Sequence, residues 1–198
     1  MIEVCKRMYM KKQFFLALIL CSFFCISCVS VKKINGLDKV YVTNTKQINI
    51  LPPSEIEQPI DEVMLLTADM GNQIFTTPVY VSADEEGIYM TILTDFGIEI
   101  GSIWYDGFSA NMDCSIFPEK LKAVYLINEF QNAYYKSQSL KQNLEASKLI
   151  FEESKKDDTM VRTIKSENKI IEDIVISESS VVISNYLRGY KITLLKSE

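Results

Sequence analysis

The chain has 198 residues, a formal net charge of −5 at neutral pH, five cysteines and no histidine. Without histidine, Ser-His-Asp and Cys-His catalysis and the commonest zinc ligand are excluded. An acidic chain with no basic stripe repels phosphate backbones, which argues against a nucleic-acid partner.

The first segment is basic, then apolar. Lys6, Arg7, Lys11 and Lys12 precede an uncharged run, Phe14 to Ile26, which ends in the tetrad Cys25-Ile26-Ser27-Cys28. With the small residue Ser27 before Cys28, the tetrad resembles the cleavage box of bacterial lipoproteins. The resemblance implies a signal peptide over 1–27, cleavage before Cys28 and a diacylglycerol on its thiol. The remainder of the chain is then a domain tethered to a membrane outside the cytoplasm. The competing reading is a spanning anchor that is never removed. The run is short of the ~20 residues a helix needs to cross ~30 Å of hydrocarbon and has the length of a signal h-region. Val29-Ser30 lacks the Asp that retains lipoproteins at the inner membrane in enteric bacteria, and Val31-Lys32-Lys33 is basic, unlike the acidic surface-export signals of some phyla. The expected location is therefore the periplasmic face of the outer membrane. Cleavage removes Cys5, Cys21 and Cys25, leaving Cys114 without an intrachain partner; it reads as a small apolar core residue.

Residues 28–61 read as a lipid-anchored tether leading into the fold, with short strands at Val40-Tyr41-Val42 and Ile48-Asn49-Ile50 and punctuation at Pro52-Pro53 and Pro59. From 62 to 198 the pattern is that of one domain. Val63 to Leu66 and Gln73 to Ser82 are strands, and Pro78, which cannot donate to a ladder, predicts an edge strand or a bulge for the second. Asp84 to Gly87 is a turn, Ile88 to Leu93 a strand, Asp95-Phe96-Gly97 a turn, and Ile98 to Tyr105 a strand. Asp106-Gly107 is a tight hairpin signal, with its return at Phe108 to Cys114. Pro118-Glu119 opens a helix running to about residue 135. Ala123, Leu126, Ile127, Phe130, Ala133 and Tyr134 share one face, and Leu121, Val124 and Tyr125 the other, so its first half at least must be covered on both sides. A shorter helical piece spans Ser139 to Asn143. Strands return at Leu149 to Phe151, Met160 to Ile164, Ile170 to Ile176, Val181 to Leu187 and Tyr190 to Leu195. Nine or ten antiparallel strands interrupted by a helical insert make an α+β pattern.

Motifs of chemistry are absent. There is no phosphate loop, no G-x-G-x-x-G, and no C-x-x-C after Cys28. Asp84-Glu85-Glu86, Glu152-Glu153 and Asp157-Asp158 read as solvated turns and strand ends without calcium-loop spacing, and no pair of acids on matching elements stands out as an active site. The chain reads as a non-enzyme without metal or cofactor.

Several stretches carry a family resemblance: Ile103-Trp104-Tyr105-Asp106-Gly107, Phe117-Pro118, Tyr134-Tyr135, Arg162 in a late strand, and Asn185 to Tyr190. Together they resemble an uncharacterised branch of lipoproteins related to the LolA/LolB carriers, often encoded with aryl-polyene gene clusters in Gram-negative bacteria. The resemblance covers roughly residues 62 to 196. It implies an open antiparallel half-barrel whose concave apolar face is partly closed by helices. LolB relies on an apolar residue at the tip of a protruding loop; here the tip at Asp84 to Gly87 is acidic, and Ile98, after Phe96-Gly97, is the weak alternative. The expected function is binding or transfer of an apolar molecule, acyl or polyene-like, or of a lipoprotein, in the envelope. Phe75, Tyr89, Phe96, Trp104, Tyr125 and Phe130 are the candidates to line the cavity, against ordinary core packing for each singly. Arg162 is the candidate anchor for a carboxylate or phosphate head group, against a surface arginine paired with an acid. The alternative function is a non-catalytic envelope assembly or interaction factor with a protein partner and no small-molecule ligand.

Overall fold

Apolar and polar residues alternate at period two through most of the chain from Ile60 to Lys196, and this alternation builds the sheet. The computed structural model describes residues 38–117 and 121–196. Cys28 with the signal-like segment, and Pro118-Glu119 at the expected helix start, lie outside them.

A two-stranded ribbon, β1 (Lys39–Tyr41) and β2 (Gln47–Asn49), precedes ten further strands. These are β3 (Ile60–Asp69), β4 (Ile74–Ala83), β5 (Ile88–Leu93), β6 (Glu99–Tyr105), β7 (Ala110–Cys114), β8 (Ile150–Lys156), β9 (Thr159–Ser166), β10 (Lys169–Ile176), β11 (Ser180–Asn185) and β12 (Tyr190–Lys196). They form one open antiparallel sheet in the order β7-β6-β5-β4-β3-β12-β11-β10-β9-β8. Successive hairpins make each half, and pairing of β12 with β3 joins the halves, with Leu194 opposite Leu66. The fold is therefore α+β, an open sheet of the half-barrel kind. Its β8 edge carries Glu152, Glu153, Lys155 and Lys156, charges that discourage strand addition.

The turns follow from their residues. Asp84 Oδ1 accepts the amides of Glu86 at 2.8 Å and Gly87 at 3.2 Å. Asp106 Oδ1 accepts those of Phe108 and Ser109, both at 2.9 Å, and Gly107 takes φ +86°, where a side chain would be strained.

Pro78 does not mark an edge strand. β4 lies between β3 and β5, and Pro78 pairs with Leu65. It stands where the β4–β5 ladder has just ended, since the last register pair is Val79 with Ile92. The residue before it, Thr77, donates its hydroxyl to Leu93 O at 2.5 Å. The missing amide is thus accommodated at a local ladder end inside the sheet.

Two helices fill the insert between β7 and β8: α1 (Ala123–Tyr134) and α2 (Ser137–Ala146). The first starts later than predicted, because Lys122 is extended (φ −94°, ψ 144°); the second is longer. α1 packs against β6 and β7 at one side and β10 and β11 at the other, so it crosses the concave face. Leu121, Val124, Tyr125 and Leu126 pack against the core, and the most enclosed stretch, 127–133, includes Asn128, Glu129, Gln131 and Asn132. Glu129, Gln131 and Asn132 have hydrogen-bond partners inside, which lets this stretch be buried. The Gln131 side chain both accepts from Leu51 N–H at 2.9 Å and donates to Leu51 O at 2.8 Å, standing in for a strand neighbour.

Residues expected to lead from the tether are built into the body from Lys39 on. Val40, Val42, Ile48, Ile50 and Ile56 belong to the core. The ribbon is pinned to α2 by Asn143 Nδ2 donating to Asn49 O at 2.6 Å and Ser147 Oγ to Gln47 O at 2.5 Å. Cys114 packs against that core, opposite Gly101; a Cβ on Gly101 would come within 2.5 Å of its Sγ.

Candidate functional site

Inward positions on successive strands line the concave face: Leu66 and Ala68 on β3, Val79 and Val81 on β4, Ile103 on β6, Ile192 and Leu194 on β12. Opposite stand Phe117 and, from α1, Leu126, Glu129 and Phe130. Between sheet and helix remains a cavity of about 60 Å³. Among the described residues that line it, Glu129 is the single polar one. The interior is neither packed solid nor wide. It has room for a few water-sized groups.

The predicted aromatics divide. Phe130 lines the cavity and stacks on Tyr134 with centroids 4.7 Å apart. Phe75 stands behind it, edge-on to the lining residue Phe117 at 5.4 Å. Tyr125 lies under the Arg188 guanidinium, 3.9 Å from its ring centre, beside the cavity and not on its wall. Tyr89 and Trp104 face each other across β5 and β6 on the outer surface, because their neighbours Ile88, Ile103 and Tyr105 take the inward positions. Phe96 is 92 % exposed at the β5–β6 turn, with Ile98 beside it at 63 %. Alternation within a strand whose two faces are both apolar does not say which face is inside, and for β5 and β6 the aromatic face is the outer one.

Arg162 is neither on the surface nor on the cavity wall. It is 1 % exposed, and every donor has a partner. Nε donates to Glu153 at 2.8 Å; Nη1 donates to the carbonyls of Asn132 and Ala133, both at 3.0 Å; Nη2 reaches Ser137 Oγ at 3.2 Å and Glu57 at 3.4 Å. The two carbonyls belong to the last turn of α1, which has no intrahelical donor for them. The guanidinium therefore caps a helix from a neighbouring strand.

The site that sequence reasoning missed is a buried carboxyl pair. Glu172 of β10 pairs in register with Asn185 of β11, which pairs with Tyr190 of β12, so the three form a row across the sheet. Over that row α1 sets Glu129 and Asn132, three residues apart and hence on one face. Asn132 Nδ2 donates to Glu172 Oε1 at 2.9 Å, and Asn185 Nδ2 donates to Glu172 Oε2 at 3.0 Å and to Glu129 Oε1 at 3.4 Å. The Tyr190 hydroxyl also donates to Glu129 Oε1. Burial pushes both carboxyls above the ordinary range, Glu172 well above it; the adjacent Glu129 charge adds to that rise. Both acids therefore hold a proton more tightly than a solvated carboxyl does, Glu172 the more so. Two carboxyls, two amides and a phenol thus form one network in which the donors point at acids.

One signal for the pair was in the chain. Glu172 stands in phase with Ile174 and Ile176 of its strand, and a charged residue in phase with the buried set marks a candidate interior acid. The signal for Glu129 is weaker, because it lies in a polar run whose burial depends on what covers the helix.

Comparison with curated proteins found no match. Residues 62–198 match the family described as protein of unknown function, DUF3261, and the chain belongs to that family.

Proposed function

We propose that this chain is a lipoprotein held by Cys28 at the periplasmic face of the outer membrane, and that its LolB-like half-barrel binds or transfers an apolar molecule, acyl or polyene-like, within the envelope. The observation that carries this reading is the cavity between the concave face and α1. Water needs two to four polar partners to occupy such a space, whereas an apolar guest gains about 0.8 kcal/mol for each methylene it buries. At about 60 Å³ the space admits part of a chain and not a whole one. A long guest therefore enters by moving the α1 wall, Leu126 and Phe130 first. Phe96 and Ile98, exposed together on the β5–β6 turn, are the apolar pair through which such a domain would touch a membrane or a guest.

The test is organic-solvent extraction of purified, delipidated protein followed by mass spectrometry. A stoichiometric apolar molecule is expected, and a neutral apolar fluorescent probe should take its place. A blank extract together with no probe binding would sink the reading. It would favour an interaction factor without a small-molecule ligand. That second reading has its own support in the outer face, where Val63, Leu65, Tyr80, Tyr89 and Leu195 are exposed on neighbouring strands.

A further inference from the structure

An acid on the wall of an otherwise apolar cavity needs a reason. Packing alone would favour leucine there, since a buried polar group costs free energy unless its hydrogen bonds are made. Glu129 makes part of its set: Oε1 accepts from Tyr190 and Asn185. No side-chain or backbone donor of the described residues reaches Oε2, which is fully buried. A carboxylate oxygen has two lone pairs to satisfy. Acceptor capacity is therefore left over at the cavity.

Among the described residues the cavity wall offers no donor for an incoming anion, because Glu129 is its single polar residue. The Nδ2 atoms of Asn132 and Asn185 and the Tyr190 hydroxyl all point at the two acids. The neighbouring cations are spent elsewhere. Arg162 gives its guanidinium to Glu153, Glu57, Ser137 and the end of α1. Arg188 lies over Tyr125 and donates to Tyr41 O. An anionic head group brought to Glu129 would find no donor on the wall, and any charge on Glu129, only partly offset by Arg188, would repel it in a low-dielectric pocket.

We infer that the guest of this cavity carries a hydrogen-bond donor, a hydroxyl or an ammonium, on an apolar body, and that molecules headed by a free carboxylate or phosphate are rejected. This rests on the reading of the cavity as a guest site and adds the chemical class of the guest. It also reverses the sequence-based expectation that an arginine anchors an acidic head.

The test uses the full chain in a bulky nonionic detergent, with a neutral apolar fluorescent probe displaced by 1-octanol, octylamine or octanoate at neutral pH. The three share one chain length, so their apolar contributions cancel and the head group decides. Octanol and octylamine should displace the probe at roughly tenfold lower concentration than octanoate, the scale of one charge-assisted hydrogen bond. Glu129→Gln, which keeps an acceptor and removes the charge, should narrow the gap to octanoate and weaken octylamine. Ala68→Leu, which fills the cavity, should abolish displacement by all three. Octanoate equal to or better than octanol in the native chain would overturn the head-group inference while leaving the cavity reading standing; that ranking decides the matter even if a variant fails to fold. Failure of all three, and of the probe itself, would remove both.

Discussion

Glu172 reaches the interior through one extra residue. The register of β10 against β9 shifts between Ile170 and Glu172, so Ile171 is unpaired in the ladder, and Ile171 and Glu172 are both buried although they are consecutive. A β-bulge re-aims side chains in this way. Here it also turns the Ile171 carbonyl toward the β11–β12 turn, where it accepts from Tyr186 N–H at 2.9 Å. The acid so placed has a consequence for pH. A carboxyl whose folded pKa lies above its unfolded value binds its proton more tightly in the native state. Its contribution to stability is complete below the ordinary carboxylate range and is lost as pH rises from there through the folded value. The wild-type urea midpoint should therefore fall as pH rises above the ordinary carboxylate range. Glu172→Gln reproduces the protonated form, with an N–H in place of the O–H, and should flatten that slope and exceed the wild type at the alkaline end. An unchanged slope would show that the proton is held elsewhere.

At the scale of elements, α1 is held at its C-terminal end by Arg162 and along its side by Gln131, more than by its own sequence. Its first residue is preceded by Lys122, which makes no side-chain cap, and no acid stands in its first turn. The last carbonyls instead receive the guanidinium of β9. Removing it leaves buried carbonyls unpaired and Glu153 with Ser137 but without a cation. Arg162→Ala should cost about 3 kcal/mol of stability, the scale of breaking a buried ion pair. Arg162→Lys should cost about 2 kcal/mol, because an ammonium cannot span two carbonyls and two acids at once. Denaturant titration of both variants checks the order; a lysine variant as stable as wild type would show that charge alone holds the helix. Because α1 is one wall of the cavity, the same variants should also weaken retention of an apolar probe.

At the scale of the molecule, the proposed anchor and the cup divide the work. In that proposal a lipid on Cys28 holds the protein at a membrane surface, and the sheet domain supplies the binding site. A single acyl chain gives only marginal membrane binding, and stable anchoring takes more than one, so the two chains of a diacylglycerol are needed. Radioactive palmitate fed to cells should label the wild type and not Cys28→Ala, and the unlabelled form should leave the outer-membrane fraction for the soluble periplasm. Equal labelling of both forms would end the lipoprotein proposal.

The approximate number of strands, the hairpin turns and the fold class could be read from the chain because they rest on local rules. Asp84, Asp106, Gly97 and Gly189 dictate turns through bonds within a few residues, and period-two alternation dictates strands wherever one face is polar. Where both faces are apolar, as in β5 and β6, alternation gives two sets and no side, and so Tyr89 and Trp104 are found outside while Met90 and Ile103 face in. Phe130 stands on the cavity wall because its face of α1 is turned to the sheet. The polar centre is of another kind. Glu129, Asn132, Glu172, Asn185 and Tyr190 come from a helix and three strands far apart in the chain, and a bulge sets one of them inward. Local propensity carries no record of such a meeting; only the packing of α1 across the sheet brings the acids together, excludes water from them and so raises their affinity for a proton.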